Sequence, residues 1–570
     1  MTADVVVASQ TLRIGTRGSA LALIQANLVA DALRLDGAEV RVDTIVTDGD
    51  RRTPDMAWGE GAFVTAIEAA LLKGEVDVAV HSAKDVPTDQ DPRLVIAAFL
   101  PREDARDVVV LPGGLPLASL VDLPQGARVG TDSPRRTAFL RAQRPDLDVH
   151  PLHGNVDSRL HRLDAGETDA LVLAAAGLRR LDREDRISLA LSASVMPPAP
   201  GQGALAVQVR TDDGMARGLV ARLDHGSTRR AVEMERALLA ASGGGCRAPL
   251  GALGTVLDGG LRLEAGYARP DGRVAVHVSR TSASPGTVAG LVRATLRDLA
   301  EAAADTARHG DPDAPRVVVT RAPDDGAATL LALVDRGLAP ILVPAIETAA
   351  ADQDVTDDLV RRLPAADWVV VTSARTVDAL VAAAERTGCD LAAGGSDGPR
   401  WAAIGAATER ALEAAGVTVS FRPSRSTGMD LAESLPVAAG TTVILPHGDL
   451  AGRTLPNRLT ERGASVDAVV VYRTLEAPAS SHAPLRAALA DDPAAVVLAS
   501  GSAVRGWLEL ARAIGAESAA VGIPVIAIGP TTAAEARRHG LTVLAEARTP
   551  DPGSVADAAA ATLSTRKETQ

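Results

Sequence analysis

The sequence predicts an α/β fold throughout: two doubly wound α/β domains plus a small α+β domain in the first half, then two further α/β domains in the second. Three observations carry this. Strand-like and helix-like patterns alternate through the first 100 residues. Asp-Gly turns at Asp258–Gly259 and Asp271–Gly272 then mark antiparallel hairpins. Beyond these the chain echoes itself: AIGAATERALEAAGVTV (403–419) and AIGPTTAAEARRHGLTV (527–543) share seven of 17 positions without a gap. VVVTSARTV (369–377) echoes VVLASGSAV (496–504) in the same order, which reads as duplication of one strand–turn–helix plan.

Thr11 to Ile14 reads as a strand, and Ser19 caps a helix whose Leu21, Ile24, Leu28 and Leu35 recur at helical spacing. Val40 to Thr47 is the next strand, Phe63 to Leu72 a helix, and Val76 to Val80 a strand. A second α/β stretch runs from Asp107 to Met196. MPPAPGQG (196–203) reads as a return crossing, after which Val207 to Arg210 rejoins the first sheet. A helix from Thr228 to Ala241, the hairpins, and a helix around Val288 to Ala303 make the third unit. ADTARHGDPDAP (304–315), polar and with two prolines, reads as a linker between the halves.

Composition narrows the function. At 46% hydrophobic and 23% charged, the 570 residues are globular rather than disordered. Ten aromatic residues leave no platform for stacking single-stranded bases. A net charge of −13 argues against general polyanion binding and leaves room for a local basic pocket. Two cysteines without C-x-x-C spacing exclude a zinc ribbon, a redox pair and a disulfide scaffold, and no metal motif is present. Met1 to Gln10 is not a signal peptide, and no apolar run approaches the ~18 residues that span a bilayer. The expectation is a cytoplasmic monomer without a nucleic-acid or membrane partner.

Three motifs carry chemistry. HSAKDVP (81–87) places Lys84 and Asp85 beyond the carboxyl end of an apolar strand, where open α/β sheets bind ligands. Lys84 is one of only three lysines. The plain alternative is a surface ion pair. In GTDSPRR (130–136), Ser133 is an N-cap and Pro134 opens a helix, so Arg135 and Arg136 oppose the helix dipole. That placement suits a bound carboxylate or phosphate, or else a helix start tolerated in solvent. Arg17 and Ser19 repeat the theme in TRGS. GGGC (243–246) presents the Cys246 thiol on a flexible loop after a helix.

Together these segments resemble the porphobilinogen deaminase (hydroxymethylbilane synthase) family. The resemblance spans Leu12 to Ala303 and rests on GTRGSALAL, VDVAVHSAKDVPT, REDARDV, VGTDSPRR, GNVDSRL, AAAGLRRL, PAPGQGALAV and GGGCRAPLG, in family order. It implies a dipyrromethane cofactor in thioether linkage to Cys246, with Asp85 as the catalytic acid. It implies that Lys84, Ser133, Arg135 and Arg136 hold the cofactor. Arg17, Ser19, Thr131, Arg159 and Arg180 would then hold the acetate and propionate arms of the substrate. The implied reaction condenses four porphobilinogens to hydroxymethylbilane with loss of ammonia. The chemistry agrees: losing ammonia from an aminomethylpyrrole leaves a cation, which a carboxylate stabilises. This chain departs from the family at three places: His153 stands where relatives carry Arg, Glu60 where a basic or small residue is frequent, and Asp132 where a small one is usual.

The second half, from Arg316 to Leu563, resembles uroporphyrinogen-III synthase in VTSARTV, PHGDLAGRTLPNRLTERGASVDAVVVYRT and AIGPTTAAEA. This implies two Rossmann-like domains that cyclise and dehydrate hydroxymethylbilane, with Tyr472 as the acid for loss of hydroxide. Ser373 and Thr531, at turns before helices, would bind carboxylates. Helix capping is the plain alternative for these two residues, and a half-buried strand aromatic for Tyr472. The expected domains are 11–103 with 200–222, then 104–199, 223–303, a linker at 304–315, 316–347 with 476–565, and 348–475. Two other readings of the chain exist: a deaminase carrying a non-catalytic binding module, and an anion receptor without catalysis.

Overall fold

The protein is described by a computed structural model that covers residues 11–46, 64–245, 248–282, 288–392 and 398–567. Its central strands are apolar on both faces. Val78–Ser82, Asp107–Val110, Trp368–Val371 and Ala495–Leu498 are buried almost end to end. Such runs belong to sheets covered by helices on both sides.

The first sheet has the order Val40–Thr44, Leu12–Thr16, Val78–Ser82, Leu205–Arg210, Leu94–Phe99. The first three strands are parallel, and Leu205–Arg210 runs antiparallel between its neighbours. The strand after the MPPAPGQG crossing therefore does return to the first sheet. The second sheet repeats the plan with Asp148–His150, Arg128–Gly130, Ala170–Ala174, Asp107–Val110 and Leu189–Ala190. Here Asp107–Val110 is the antiparallel strand. The return crossing is threaded tightly. Gly201 (φ +78°) lies so close to Ala83 and Lys84 that a Cβ would sit 3.1 Å from their backbone, and one on Gly203 (φ +87°) would lie 2.4 Å from the Glu103 carbonyl. Only glycine fits both the conformation and the space.

The third unit pairs Leu250–Leu257, Gly260–Ala268 and Ala275–Ser282 as an antiparallel meander turning at the two Asp-Gly sites. The helix Gly226–Ala241 leads into it, and Glu235 pins the helix. The Glu235 carboxylate is fully buried. It accepts from Arg102 at 2.5 and 3.0 Å and from the Gly201 and Gly254 amides at 2.7 Å each.

The second half contains a parallel sheet, Ala339–Leu342, Arg316–Val319, Ala495–Leu498, Val525–Ala527, Val543–Glu546. Its other sheet runs Ile346–Ala350, Ser465–Glu476, Thr442–Gly448, Trp368–Val371, Arg400–Ala403, Val419–Phe421. The internal echo is structural: Trp368–Val371 and Arg400–Ala403 are neighbours in one sheet, as Ala495–Leu498 and Val525–Ala527 are in the other. Ser373 and Ser500 cap the corresponding helices, Ala374–Thr387 and Gly501–Ala513.

The expected linker is not a flexible one. The helix that opens at Val288 continues to Gly310, so most of 304–315 is helical. Ala303, Ala304 and Ala307 are buried on it, while Asp305 and His309 face outward. That helix lies between the meander and the second half. One continuous apolar core joins Leu261, Leu263 and Tyr267 of the meander to Leu299 and Ala303, and then to Leu330, Val334, Val497 and Ile526. Two ion pairs extend the contact: Arg297–Asp324 at 2.9 Å and Arg293–Asp378 at 2.6 Å.

Candidate active site

The helix Ala20–Leu35 opens where the first strand ends, because Ser19 accepts a hydrogen bond from the Ala22 amide at 3.4 Å. Thr16, Arg17, Ser19, Gln25, His81 and Asp85 line one pocket at this edge of the first sheet. Lys84 and Asp85 belong to a single turn, Ala83–Asp85, directly after Val78–Ser82. Asp85 opens onto the cleft. The protein packed around it nonetheless desolvates its carboxyl and raises the pKa above the ordinary carboxylate value, while Lys84 and Arg17 pull it back. Lys84 is desolvated in turn, and its pKa falls to about 8. Its Nζ donates to Gln202 Oε1 at 3.2 Å. His81 is buried and held neutral, with its pKa pushed down to about 4, so it is no proton donor at neutral pH.

The opposite wall comes from the second sheet. Thr131 Oγ1 accepts from the Ser133 amide at 3.3 Å, and Ser133 caps the helix Pro134–Gln143 through the Arg136 amide at 3.4 Å. The two arginines of that helix are not an open clamp. Arg135 and Arg136 are buried, and both reach the buried Asp107, Arg135 Nη1 to Oδ2 and Arg136 Nη2 to Oδ1 at 2.7 Å each. Two buried guanidiniums require a counter-ion, and the protein supplies one. Asp107 is held well below the usual carboxylate range by those charges, against its own desolvation. Since one acid faces two arginines, a positive charge remains. Gln202 ties the cluster to Lys84: its Nε2 donates to Asp107 at 2.9 Å and to the Ala105 carbonyl at 2.8 Å, which leaves Oε1 toward the lysine.

Arg159 stands on the helix Val156–Asp164, and burial lowers its pKa to about 10. Arg180, at the end of Ala175–Arg180, donates to the Gly203 carbonyl at 2.7 Å and is likewise desolvated. The two walls approach where Gly177 faces Leu21. Cys246 and Glu60 lie outside the described residues. The structure thus brings Arg17, Ser19, Lys84 and Asp85 together on one wall and Thr131, Ser133, Arg135 and Arg136 on the other. Sequence reasoning missed Asp107, Gln202 and Glu235. An acid opening the apolar strand DVVV was the available signal for the first, and a glutamine between two glycines for the second.

The chain matches the family description "Porphobilinogen deaminase, dipyromethane cofactor binding domain" over residues 12–217 and "Porphobilinogen deaminase, C-terminal domain" over 229–289. A porphobilinogen deaminase of Acidothermus cellulolyticus is 48% identical over 306 residues, 52% of this chain and 91% of that one. Another, from Leifsonia xyli, is 46% identical over 297 residues, 51% and 89%. The chain belongs to the porphobilinogen deaminase family. The domain that forms the cleft is therefore a dipyrromethane-binding domain.

Residues 328–557 match the family description "Uroporphyrinogen-III synthase HemD". A uroporphyrinogen III synthase structure from Thermus thermophilus aligns at 25% identity with a TM-score of 0.35, covering 44% of this chain and all of that one. In this half, Tyr472 and Ser373 meet: the phenol and hydroxyl oxygens are 3.4 Å apart. The ring packs against Gly448, where a Cβ would fall 2.4 Å from it. Ser373 also caps Ala374–Thr387 through the Thr376 amide at 3.2 Å. Thr531 is exposed at the start of Pro530–Arg538, on a helix of the other sheet.

Proposed function

We propose that the chain condenses four porphobilinogen molecules head to tail into hydroxymethylbilane, releasing four ammonia, and then closes and dehydrates that product to uroporphyrinogen III. The observation that carries the first step is Asp85: a carboxylate open to a cleft whose walls are built from desolvated cations. Loss of ammonia develops positive charge on the aminomethylpyrrole, and Asp85 is the anion placed to stabilise it. Its raised pKa also suits it to pass a proton to the departing amine.

The residues fit a polyacidic tetrapyrrole precursor. Lys84, Arg135, Arg136, Arg159 and Arg180 are all desolvated or buried, and Asp107 and Glu103 offset them only in part. Dipyrromethane, carried on Cys246 by a thioether, supplies the primer on which the product grows. Lys84, Ser133, Arg135 and Arg136 would hold its acidic arms, and Arg17, Ser19, Thr131, Arg159 and Arg180 those of the incoming pyrrole. In the second half, Tyr472 would protonate the leaving hydroxyl, with Ser373 and Thr531 as hydrogen-bond donors to carboxylates. We read the enzyme as a cytoplasmic monomer that works on small molecules alone.

Incubation with porphobilinogen followed by isomer analysis of the oxidised product tests both steps. Uroporphyrin III is expected; type I alone would overturn the second activity, and no product the first. The denatured chain should carry the dipyrromethane mass on the peptide containing Cys246. Tyr472→Phe should shift product toward type I.

A further inference from the structure

One buried side chain reaches both walls of the cleft, and the proposed chemistry does not use it. Gln202 lies in the return crossing and is 1% exposed. Its backbone is held on both sides: the N–H donates to the Ala199 carbonyl at 2.8 Å, and the carbonyl accepts from Arg102 Nε at 2.9 Å. Arg102 is pinned in turn by Glu235. Its partners dictate which way the side-chain amide points. Nε2 meets two groups that only accept, Asp107 Oδ1 at 2.9 Å and the Ala105 carbonyl at 2.8 Å. Oε1 is thereby turned toward Lys84 Nζ, 3.2 Å away. Lys84 needs that acceptor. Burial opposes its charge most. Asp85 on its own turn and Asp107 on the strand Asp107–Val110 favour the charge, while Arg136 and Arg135 on the helix Pro134–Gln143 oppose it. Among the described residues no carboxylate pairs with Lys84 directly, and the Gln202 oxygen takes its hydrogen bond.

Resting on the reading of Lys84 as a ligand for acidic arms, we propose that Gln202 is a positioning residue for the condensation, an amide bridge that holds the Lys84 ammonium beside the arginine wall and keeps it charged. Its N–H end lies on the anion Asp107 and its oxygen end on the cation, so the bridge is polarised in the sense that favours both. The acid that neutralises two arginines of one wall thus orders the lysine of the other, although no bond joins them. Without the bridge a buried ammonium would face two guanidiniums with no acceptor, and it would give up its proton at lower pH.

The pH dependence of kcat/KM for porphobilinogen, measured on the full-length holoenzyme, tests this. Gln202→Met keeps the length of the side chain and removes both donor and acceptor. Its alkaline limb should begin about one pH unit lower than in the unsubstituted enzyme, with the loss at pH 8 in KM rather than kcat. Gln202→Glu keeps an acceptor and adds charge, so its limb should lie at or above the original pH, which a purely structural role would not require. Where Lys84→Gln has already removed the lysine, Gln202→Met should change kcat/KM by less than about twofold. A limb unmoved in Gln202→Met overturns the proposal, and so does a large further loss in the double variant. If Gln202→Met does not fold, Gln202→Glu decides: a limb displaced to lower pH there overturns the proposal equally. Absence of turnover in the unsubstituted enzyme would sink the reading of the cleft and this proposal with it; turnover with a limb indifferent to Gln202→Met would sink this proposal alone.

Discussion

Lys84 is governed by burial more than by any partner, and its pKa of about 8 has two consequences of opposite sign. For catalysis, the free enzyme loses a carboxylate-binding charge as pH rises through about 8, so kcat/KM for porphobilinogen should fall there. Lys84→Gln should abolish that alkaline limb and lower kcat/KM below it; a limb that persists in the variant refutes the assignment. For stability, a lysine whose folded pKa lies below its unfolded value of 10.5 weakens the fold while protonated, and the penalty lifts as pH climbs from about 8 toward 10.5. Asp85→Asn keeps the shape and removes the anion, and should reduce kcat by about 100-fold or more, read in single-turnover release of ammonia. Both residues stood out in the sequence because a polar Lys-Asp pair follows directly on an apolar strand. Asp107 was not, since the meaning of that acid depends on two arginines that only the folded chain brings to it.

Among the elements, the return crossing decides whether the two walls face each other. It is locked at Gly201 and Gly203 by positive φ and backbone contact, and at its far side by Glu235. Glu235→Ala would leave the largely buried Arg102 without its carboxylate and free two amides, so urea unfolding of the full chain should show a loss of about 3–5 kcal/mol. A loss under 1 kcal/mol would show that the crossing is held elsewhere. The sequence marked this segment correctly because Pro and Gly dictate local geometry. It misjudged 304–315 for a physical reason: Asp305, Arg308 and His309 crowd one helical face, and their polarity hides the alanines at 303, 304 and 307. Alanine buries well against a neighbour but contributes little apolar signal.

For the whole molecule, that misjudged helix changes what kind of fusion this is. A flexible tether raises effective concentration and leaves two independent bodies. Here the helix Val288–Gly310 is packed on both sides, so the meander and the first sheet of the second half share one core. The orientation of the meander against that sheet is therefore set by packing, and damage on one side of this core must be felt on the other. Leu330, on the helix Pro323–Asp335, is 1% exposed in that core. Leu330→Ala should cost about 2–4 kcal/mol. Hydrogen exchange followed by mass spectrometry should then show faster exchange in strands Leu250–Leu257 and Gly260–Ala268, which belong to the other half and do not contain the substitution. Exchange accelerated only beyond residue 316 would mean that the halves open separately, whatever their contact in the folded state.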